Sequence, residues 1–365
     1  MALRRAPVHG GNVYAAAREL RRPIGSILDF SASINPLGPS RQVHLAAESA
    51  LIQHYPDPDC VSLKRAIQCR WDIPPECITV GNGSTELIDI IPRALSFRRA
   101  LIVGPTYAEY AHAVSRAGGR ISMIMAKKVD EYRPPLEQIT RRLSRRPRGR
   151  ETIDAVVLCH PNSPTGRPAF PHDLQALFSA AGRAGVWVVV DESFIDYCQE
   201  LTCVPQLPRS PRLIILRSFT KFYGLPGLRI GYSVSSAAVA ARLRQFQPPW
   251  SVNAVAQQAA EAAIADVAHA RRCLACIERE RAHLTTQLSM LDGLAVIPSS
   301  ANFLLVELPR PFGSRTVTAA LRRRGLLVRD CSSLEGCTAR MIRIAVRRRR
   351  DNERLFAALR RIVRR

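Results

Sequence analysis

The 365-residue sequence predicts an α/β fold in which a large domain with a mainly parallel central sheet is joined to a smaller α+β domain. Three observations support this prediction. Short apolar runs alternate with helical patterns through the middle of the chain, a long alanine-rich helical pattern follows them, and a second group of strand and helix patterns ends the chain. With 47% hydrophobic residues, the chain is long enough to bury two cores.

The first group of elements predicts the sheet of the large domain. Its strand candidates are apolar throughout, which is typical of strands covered on both faces. Helical patterns lie between them, and this alternation favours parallel pairing. The strand candidates are 78–80, 100–103, 121–125, 155–158, 186–190 and 213–216, and helix candidates include 84–95, 108–117 and 171–184.

The later elements predict the smaller domain. One helical stretch without Pro or Gly runs from 252 to about 291 and would link the two domains. Strand patterns at 303–306, 326–328 and 341–346 follow, with helices at 315–324 and 350–363. The first forty residues hold no strong strand pattern and are expected to pack on this unit. We therefore predict a large domain over 45–250 and a small domain formed by 1–44 and 251–365.

The net charge of +23 comes almost entirely from arginine, because the chain has only four lysines. The basic runs carry no interleaved aromatic residues on which bases could stack. A solvated arginine-rich surface is therefore favoured over a specific nucleic-acid site. A non-catalytic polyanion-binding protein is the alternative of a different class.

The cysteine pattern and hydropathy indicate a cytoplasmic protein without a membrane partner. Ten cysteines are scattered along the chain, and the close pair Cys273 and Cys276 has no second pair to complete a metal site. We therefore predict no metal and no disulfide framework. No apolar run reaches the roughly 18 residues of a membrane span, and the first residues lack the apolar segment of a signal peptide.

Three polar segments follow predicted strands, where α/β proteins place their sites. The segment Gly81-Asn82-Gly83-Ser84-Thr85-Glu86 opens a helix, and its glycines and free N–H groups suit a phosphate. Glu86 replaces the third glycine of a dinucleotide loop, and a plain helix cap remains open for this segment. Asp191-Glu192 ends another strand, where a carboxylate needs a cationic partner or caps a turn.

The third segment carries Lys221 among apolar and aromatic neighbours. Desolvation lowers the pKa of an amine and makes it a nucleophile for Schiff-base chemistry. Arginine cannot form a Schiff base, so a lysine at this point of an arginine-rich chain favours a chemical role over that of an ordinary loop residue. Ser218 and Arg229 flank it as candidate phosphate ligands.

These motifs together resemble the fold-type-I, pyridoxal-5′-phosphate (PLP)-dependent aminotransferases. The resemblance rests on Ser218-x-x-Lys221, on Gly224-x-x-Gly227-x-Arg229-x-Gly231, on Asp191-Glu192, and on Pro161-Asn162-Ser163-Pro164-Thr165-Gly166. It implies that Lys221 forms the Schiff base, that Asp191 pairs with the pyridinium nitrogen and that Asn162 donates to the ring 3′-oxygen. It also implies a stacking role for Tyr107 and a homodimer in which Tyr55 reaches the neighbouring site. The implied phosphate ligands are Gly83, Ser84, Thr85, Ser218 and Arg229.

The ends of the chain resemble the threonine-phosphate decarboxylases of cobamide (cobalamin) biosynthesis. The matching segments are His9-Gly10-Gly11-Asn12, 29–39, 250–253 and 327–333. The resemblance implies decarboxylation of L-threonine O-3-phosphate to (R)-1-amino-2-propanol O-phosphate. Arg343, helped by Asn162, would hold the carboxylate of this phosphorylated amino acid. Its phosphate would contact Arg329 and the segment with His9, Gly10 and Asn12, and Asn35 is a further candidate.

The reaction type has one alternative. The related histidinol-phosphate aminotransferases share the core motifs, so transamination of a phosphorylated amine is the alternative reaction.

His160 and Ser163 depart from the asparagines of the family motif, and we expect them to serve only local packing.

Overall fold

The computed structural model describes residues 10–145 and 152–363. Its β-strands are β1 (Leu28–Phe30), β2 (Ile78–Gly81), β3 (Arg99–Gly104), β4 (Arg120–Met125), β5 (Ala155–Cys159), β6 (Trp187–Asp191), β7 (Leu213–Ser218), β8 (Gly231–Val234), β9 (Ala295–Ile297), β10 (Phe303–Glu307), β11 (Leu326–Asp330) and β12 (Met341–Ala345). Its α-helices are α1 (Val13–Leu20), α2 (Arg41–Glu48), α3 (Val61–Trp71), α4 (Gly83–Ala94), α5 (Glu109–Arg116), α6 (Leu136–Ser144), α7 (Pro171–Ala184), α8 (Ala237–Arg244), α9 (Ala254–Ala265), α10 (Val267–Ser289), α11 (Ser314–Arg323) and α12 (Arg349–Val363).

The larger sheet has the strand order β2-β8-β7-β6-β5-β3-β4. All of its neighbouring strands are parallel except β8, which runs antiparallel to both β2 and β7. The mainly parallel sheet and its six predicted strands are confirmed. Strand β8 was not predicted, because its four residues alternate glycine and serine with larger side chains and so form no apolar run.

The expectation that every strand of this sheet is covered on both faces is wrong for β4. This strand pairs only with β3 at the sheet edge, and its first three residues are exposed. An edge strand has a neighbour on one side alone, so an apolar run such as 121–125 does not guarantee burial.

The smaller sheet has the order β1-β11-β12-β10-β9. Strand β1 pairs in parallel with β11, with Leu28 opposite Leu326. The N-terminal region, in which no strong strand pattern was expected, therefore contributes a short strand to this sheet. Three residues are too few for a periodic pattern, so the pairing depends on the tertiary fold.

The stretch predicted as one helix from 252 to about 291 is two helices, α9 and α10. Asp266 lies between them with a non-helical backbone, and its carboxylate accepts the N–H of His269 at 2.9 Å as the N-cap of α10. Alanines of α9 pack in one cluster with Ile78 and Val80 of the larger sheet. We therefore propose that the boundary between the two domains lies at α10 rather than at residue 251.

No helix within residues 10–145 and 152–363 has both the length and the apolar character needed to span a bilayer.

Candidate active site

A cavity lies between the carboxyl ends of the parallel strands and the smaller sheet. Most of the predicted site residues line it, and they come from widely separated parts of the chain. Those that line it are Gly10, Ser84, Thr85, Tyr107, Asp191, Ser218, Lys221, Arg229, Arg329 and Arg343. The cavity therefore contains an amine, a carboxylate and three guanidinium groups.

Lys221 follows the end of β7, and its side chain is partly exposed toward the cavity. Burial lowers the pKa of this amine to about 8, and the positive charges of Arg343 and Arg229 act in the same direction. Asp191 opposes that shift. A substantial fraction of the amine is therefore neutral near pH 8, which is the form that attacks a carbonyl group.

Asp191, at the end of β6, is buried, and three donors hold its carboxylate. The Tyr110 hydroxyl donates to Oδ2 at 2.6 Å, and the backbone N–H and hydroxyl of Ser193 donate to Oδ1 at 2.9 and 2.5 Å. Burial raises the pKa of Asp191, while these hydrogen bonds and Lys221 lower it. The donors thus favour the carboxylate in a dry site, where a cationic partner would be held strongly.

The sequence analysis did not identify Tyr110. Tyr110 lies with Ala113 and Val114 on the buried face of α5, a spacing that is typical of core residues of a helix. A buried tyrosine hydroxyl needs a partner, and that requirement was the available signal. The identity of the partner, 81 residues away, was not available from the pattern.

Glu192 directly follows the last residue of β6 and does not line the cavity. Its carboxylate pairs with Arg217 at 2.9 Å and accepts the Thr202 hydroxyl at 2.8 Å and the Cys203 N–H at 2.6 Å. This buried network ties the end of β6 to β7, the strand that leads to Lys221. Breaking one partner of such a pair leaves an uncompensated charge.

One end of the cavity has the geometry of an anion-binding cradle, formed by Gly83, Ser84 and Arg229. Gly83 has φ +74° at the start of α4, and a Cβ there would lie 2.6 Å from Nη2 of Arg229. Arg229 also has a positive φ of 56°. Gly231 sits where a Cβ would lie 2.6 Å from the Ser84 nitrogen. These close approaches bring a guanidinium group to a helix N-terminus, an arrangement that binds anions.

The residues present fit PLP. The cradle suits its phosphate, the buried Asp191 carboxylate suits its basic ring nitrogen, and the Lys221 amine lies in the same cavity to bind its aldehyde. Tyr107 also lines the cavity, and its ring contacts Tyr110 edge-on with centroids 5.6 Å apart.

Arg343, on β12, lies at the side of the cavity formed by the smaller sheet. Its Nη1 donates to the Ser163 hydroxyl at 2.7 Å, and its Nη2 donates to the Ser31 carbonyl at 2.8 Å. Its guanidinium carbon lies 5.1 Å from the Phe303 ring centroid. Arg329, on the neighbouring strand β11, pairs with Arg343 in the sheet register. Two arginines therefore line the side of the cavity opposite the carboxyl ends of the parallel strands.

The structure corrects the expectation for Ser163 and supports that for His160. Ser163 lines the cavity and holds Arg343, so it serves more than local packing. His160 is buried, and its Nδ1 accepts the N–H of Ala169 at 3.1 Å while its Nε2 faces the Leu201 carbonyl at 3.0 Å. Burial lowers the pKa of His160, which fits a neutral packing residue.

Two predicted asparagines have their amides engaged within the protein. Asn35 donates to the Phe222 carbonyl and to Cys273 Sγ, both at 2.8 Å, and it does not line the cavity. Asn35 therefore holds the backbone next to Lys221 rather than lining the cavity, which corrects its prediction as a substrate-binding residue. The Asn162 amide donates to the Pro105 carbonyl at 2.8 Å and to Thr165 at 3.0 Å. Both of its hydrogens are therefore used, and its donation to a cofactor stays a prediction.

Three further predicted residues lie outside the cavity or outside the described ranges. Asn12 caps α1 by accepting the Ala15 N–H and lines an adjoining groove rather than the cavity. Tyr55 is 79% exposed and stacks on Trp250 with ring centroids 4.6 Å apart. His9 lies outside the described residues.

Comparisons with known proteins agree with this geometry. The family model of aminotransferases of class I and II matches residues 26–362. The chain is 37% identical to a threonine-phosphate decarboxylase of Salmonella typhimurium, over 97% of this chain and 96% of that protein. It is 32% identical to a histidinol-phosphate aminotransferase of Anaeromyxobacter, over 93% and 92% of the two chains.

Solved structures with the same fold come from both groups. L-threonine-O-3-phosphate decarboxylase from Porphyromonas gingivalis superposes with a TM-score of 0.80 at 26% identity, covering 93% of this chain and 100% of that one. Histidinol-phosphate aminotransferase from Sinorhizobium meliloti, in complex with pyridoxal-5′-phosphate, gives 0.86 at 25% identity, covering 99% and 96%. The chain belongs to the class I and II aminotransferase family and has its fold-type-I architecture.

Proposed function

We propose that this chain is a PLP-dependent carboxy-lyase that converts L-threonine O-3-phosphate into (R)-1-amino-2-propanol O-phosphate and carbon dioxide. The observation that carries the proposal is the meeting, in one cavity, of Lys221 with Arg343 and Arg329. A phosphorylated amino acid has two anionic ends, and two separate guanidinium groups match them. The 37% identity to a threonine-phosphate decarboxylase supports the same substrate.

The cofactor side uses residues of the larger sheet and the loops that follow it. Ser84, Thr85, Ser218 and Arg229, with the backbone at Gly83, would hold the cofactor phosphate, and Asp191 would pair with its ring nitrogen. When bound, PLP supplies an electron sink for the pair of electrons released when a bond to the substrate Cα breaks. Lys221 would attach the cofactor through its amine, and Tyr107 would pack on the ring.

The substrate side determines which bond breaks. With PLP bound, the bond to the substrate Cα that lies perpendicular to the ring would be the one to cleave. The residues that bind the substrate would therefore select the reaction by fixing its orientation. Arg343 would hold the carboxylate, and Arg329 with the Gly10 segment would hold the phosphate. After carbon dioxide leaves, the Lys221 ammonium group would return a proton to Cα as general acid.

Product analysis of the PLP-loaded enzyme with L-threonine O-3-phosphate tests this proposal. The expected result is one carbon dioxide and one amine phosphate per substrate, without consumption of 2-oxoglutarate. Histidinol-phosphate aminotransferases are close relatives, so the second candidate is transamination of a phosphorylated amine. Consumption of 2-oxoglutarate with no carbon dioxide would favour that reaction. A polyanion-binding protein would show neither reaction and no cofactor absorbance.

We also propose a homodimer in which each active site uses residues of both subunits. Tyr55 is exposed near Leu51 and Ile52, two further exposed apolar residues, which suits a surface covered by a second copy. A mixture of Tyr55→Ala and Lys221→Ala subunits should regain activity, because a mixed dimer has one intact site. No recovery after verified subunit exchange would contradict the shared site.

A cytoplasmic location completes the proposal. All ten cysteines are free, as in a reducing compartment.

A further inference from the structure

Ser163 stands where the family motif has an asparagine, and its hydroxyl contacts Arg343 across 180 residues of sequence. Nη1 of Arg343 donates to Ser163 Oγ at 2.7 Å, and both side chains line the cavity. The second contact, from Nη2 to the Ser31 carbonyl, is 2.8 Å long. Two oxygens from two distant segments thus hold one guanidinium group.

These two contacts leave donors of Arg343 available for an anion. A guanidinium group has five N–H donors in a rigid plane, and the two oxygens use one donor on each terminal nitrogen. One further donor remains on each terminal nitrogen, and these are the donors available to an anion, because Nε is buried, with no hydrogen-bond partner among residues 10–145 and 152–363. Two-point recognition of a carboxylate requires that this plane keep a fixed orientation, because the two N–H groups must point in parallel.

The Ser31 contact joins Arg343 to the N-terminal segment. The Ser31 hydroxyl donates to Asp29 at 2.6 Å and accepts the N–H of Gly11 at 2.8 Å. The backbone of Gly10 approaches the Ser31 carbonyl so closely that a Cβ at position 10 would lie 2.3 Å from the carbonyl oxygen. The proposed binding sites for the carboxylate and for the phosphate are therefore linked through one residue, Ser31. A backbone carbonyl cannot be removed by substitution, so Ser163 provides the contact that can be tested.

We infer that Ser163 is a positioning residue that orients Arg343 for the α-carboxylate of the substrate, an inference that rests on the proposed function. Without its hydroxyl, Arg343 keeps its charge but loses one of its two fixed contacts. The guanidinium plane then samples more rotamers, and carboxylate binding weakens. Ligands that have no carboxylate are unaffected.

The test compares two ligands that differ by that carboxylate. PLP-loaded enzyme is titrated with L-threonine O-3-phosphate and with (R)-1-amino-2-propanol O-phosphate, and the initial change in cofactor absorbance reports binding. Ser163→Ala should weaken binding of the first about tenfold, the usual cost of one hydrogen bond to a charged group. It should change binding of the second by less than twofold, and Ser163→Thr should restore binding of the first.

A double substitution separates positioning from direct contact. In an Arg343→Ala background, Ser163→Ala should add less than a twofold loss, because its effect passes through the arginine. An undiminished loss there, equal weakening of both ligands, or no weakening of either overturns the inference. So does failure of the unsubstituted enzyme to bind the phosphorylated amino acid. Binding without release of carbon dioxide would refute the proposed function alone, since the titration does not require turnover.

Discussion

The two sides of the cavity hold their charged groups in different ways. On one side, Asp191 is buried and held by Tyr110 and Ser193, whose donors are neutral. On the other side, Arg343 is a cation held by Ser163 and by the Ser31 carbonyl. The partners of Asp191 lie on α5 and in the loop that follows β6, whereas Arg343 lies on the smaller sheet and takes one partner from each region.

This difference indicates a division of tasks. The contacts that hold Asp191 come from the larger sheet and the elements beside it, whereas Asn35 of the N-terminal region holds only the backbone next to Lys221. The side that would bind the substrate depends on contacts between the two sheets. Substitutions on the first side should therefore change the properties of the bound cofactor, and substitutions on the second side should change substrate binding.

Lys221→Ala should reduce activity more than any other substitution, because it removes the group common to both sides. Turnover should fall at least about 10³-fold, because both covalent attachment of the cofactor and the proton donor are lost. Circular dichroism should show an unchanged fold. Lys127→Ala, at an exposed lysine outside the cavity, is the matched control and should keep full activity. Full decarboxylation by Lys221→Ala would refute the assignment.

Arg343→Ala should reduce kcat/KM by hundreds-fold, about the value of a two-point charged contact in a dry site. The cofactor absorbance before substrate addition should stay close to that of the unsubstituted enzyme, because the change lies on the substrate side. Arg361→Ala, at an exposed arginine in the last turn of α12, controls for loss of one positive charge. An unchanged kcat/KM would remove Arg343 from the site.

Tyr110→Phe should have a smaller effect, of about tenfold on kcat, because it removes one hydrogen bond to a charged group. Loss of this donor raises the pKa of Asp191, so pairing with the ring nitrogen weakens. The direct readout is the pH titration of the bound cofactor's absorbance, which should shift. Tyr132→Phe, at a buried tyrosine outside the cavity, should leave that titration unchanged. Identical titrations for both variants would contradict the role of Tyr110.

The pH dependence of cofactor attachment should follow Lys221. Only the neutral amine reacts, and its pKa is lowered to about 8, so the rate of attachment to cofactor-free enzyme should rise with pH and level off above about 8. Removing the positive charge of Arg343 should move this midpoint upward. A midpoint near the ordinary lysine value of about 10.4 would contradict the lowered pKa.

The sequence predicted the cofactor side better than the substrate side for a physical reason. Asp191, Ser218 and Lys221 occur next to apolar strand runs, so local patterns place them at one sheet edge. The Ser31–Arg343–Ser163 contacts join residues more than 100 positions apart, and no periodic pattern reports them. Asn35 shows the converse, since a residue in a matching motif proved to brace the chain beside Lys221.

Short elements were missed for a similar reason. Strands β1, β8 and β9 have three or four residues each, and their formation depends on partners already in place. Aspartate is a preferred N-cap residue, so Asp266 is itself a signal for the break between α9 and α10, and the absence of Pro and Gly from 252–291 does not exclude such a break.

Borohydride reduction of the PLP-loaded protein, followed by peptide mapping, identifies the lysine that carries the cofactor. We expect one pyridoxyl group per chain, on the peptide that contains Lys221 and on none that contains Lys64, Lys127 or Lys128. A label on any of those three lysines, or no label after reduction, would contradict the assignment of Lys221.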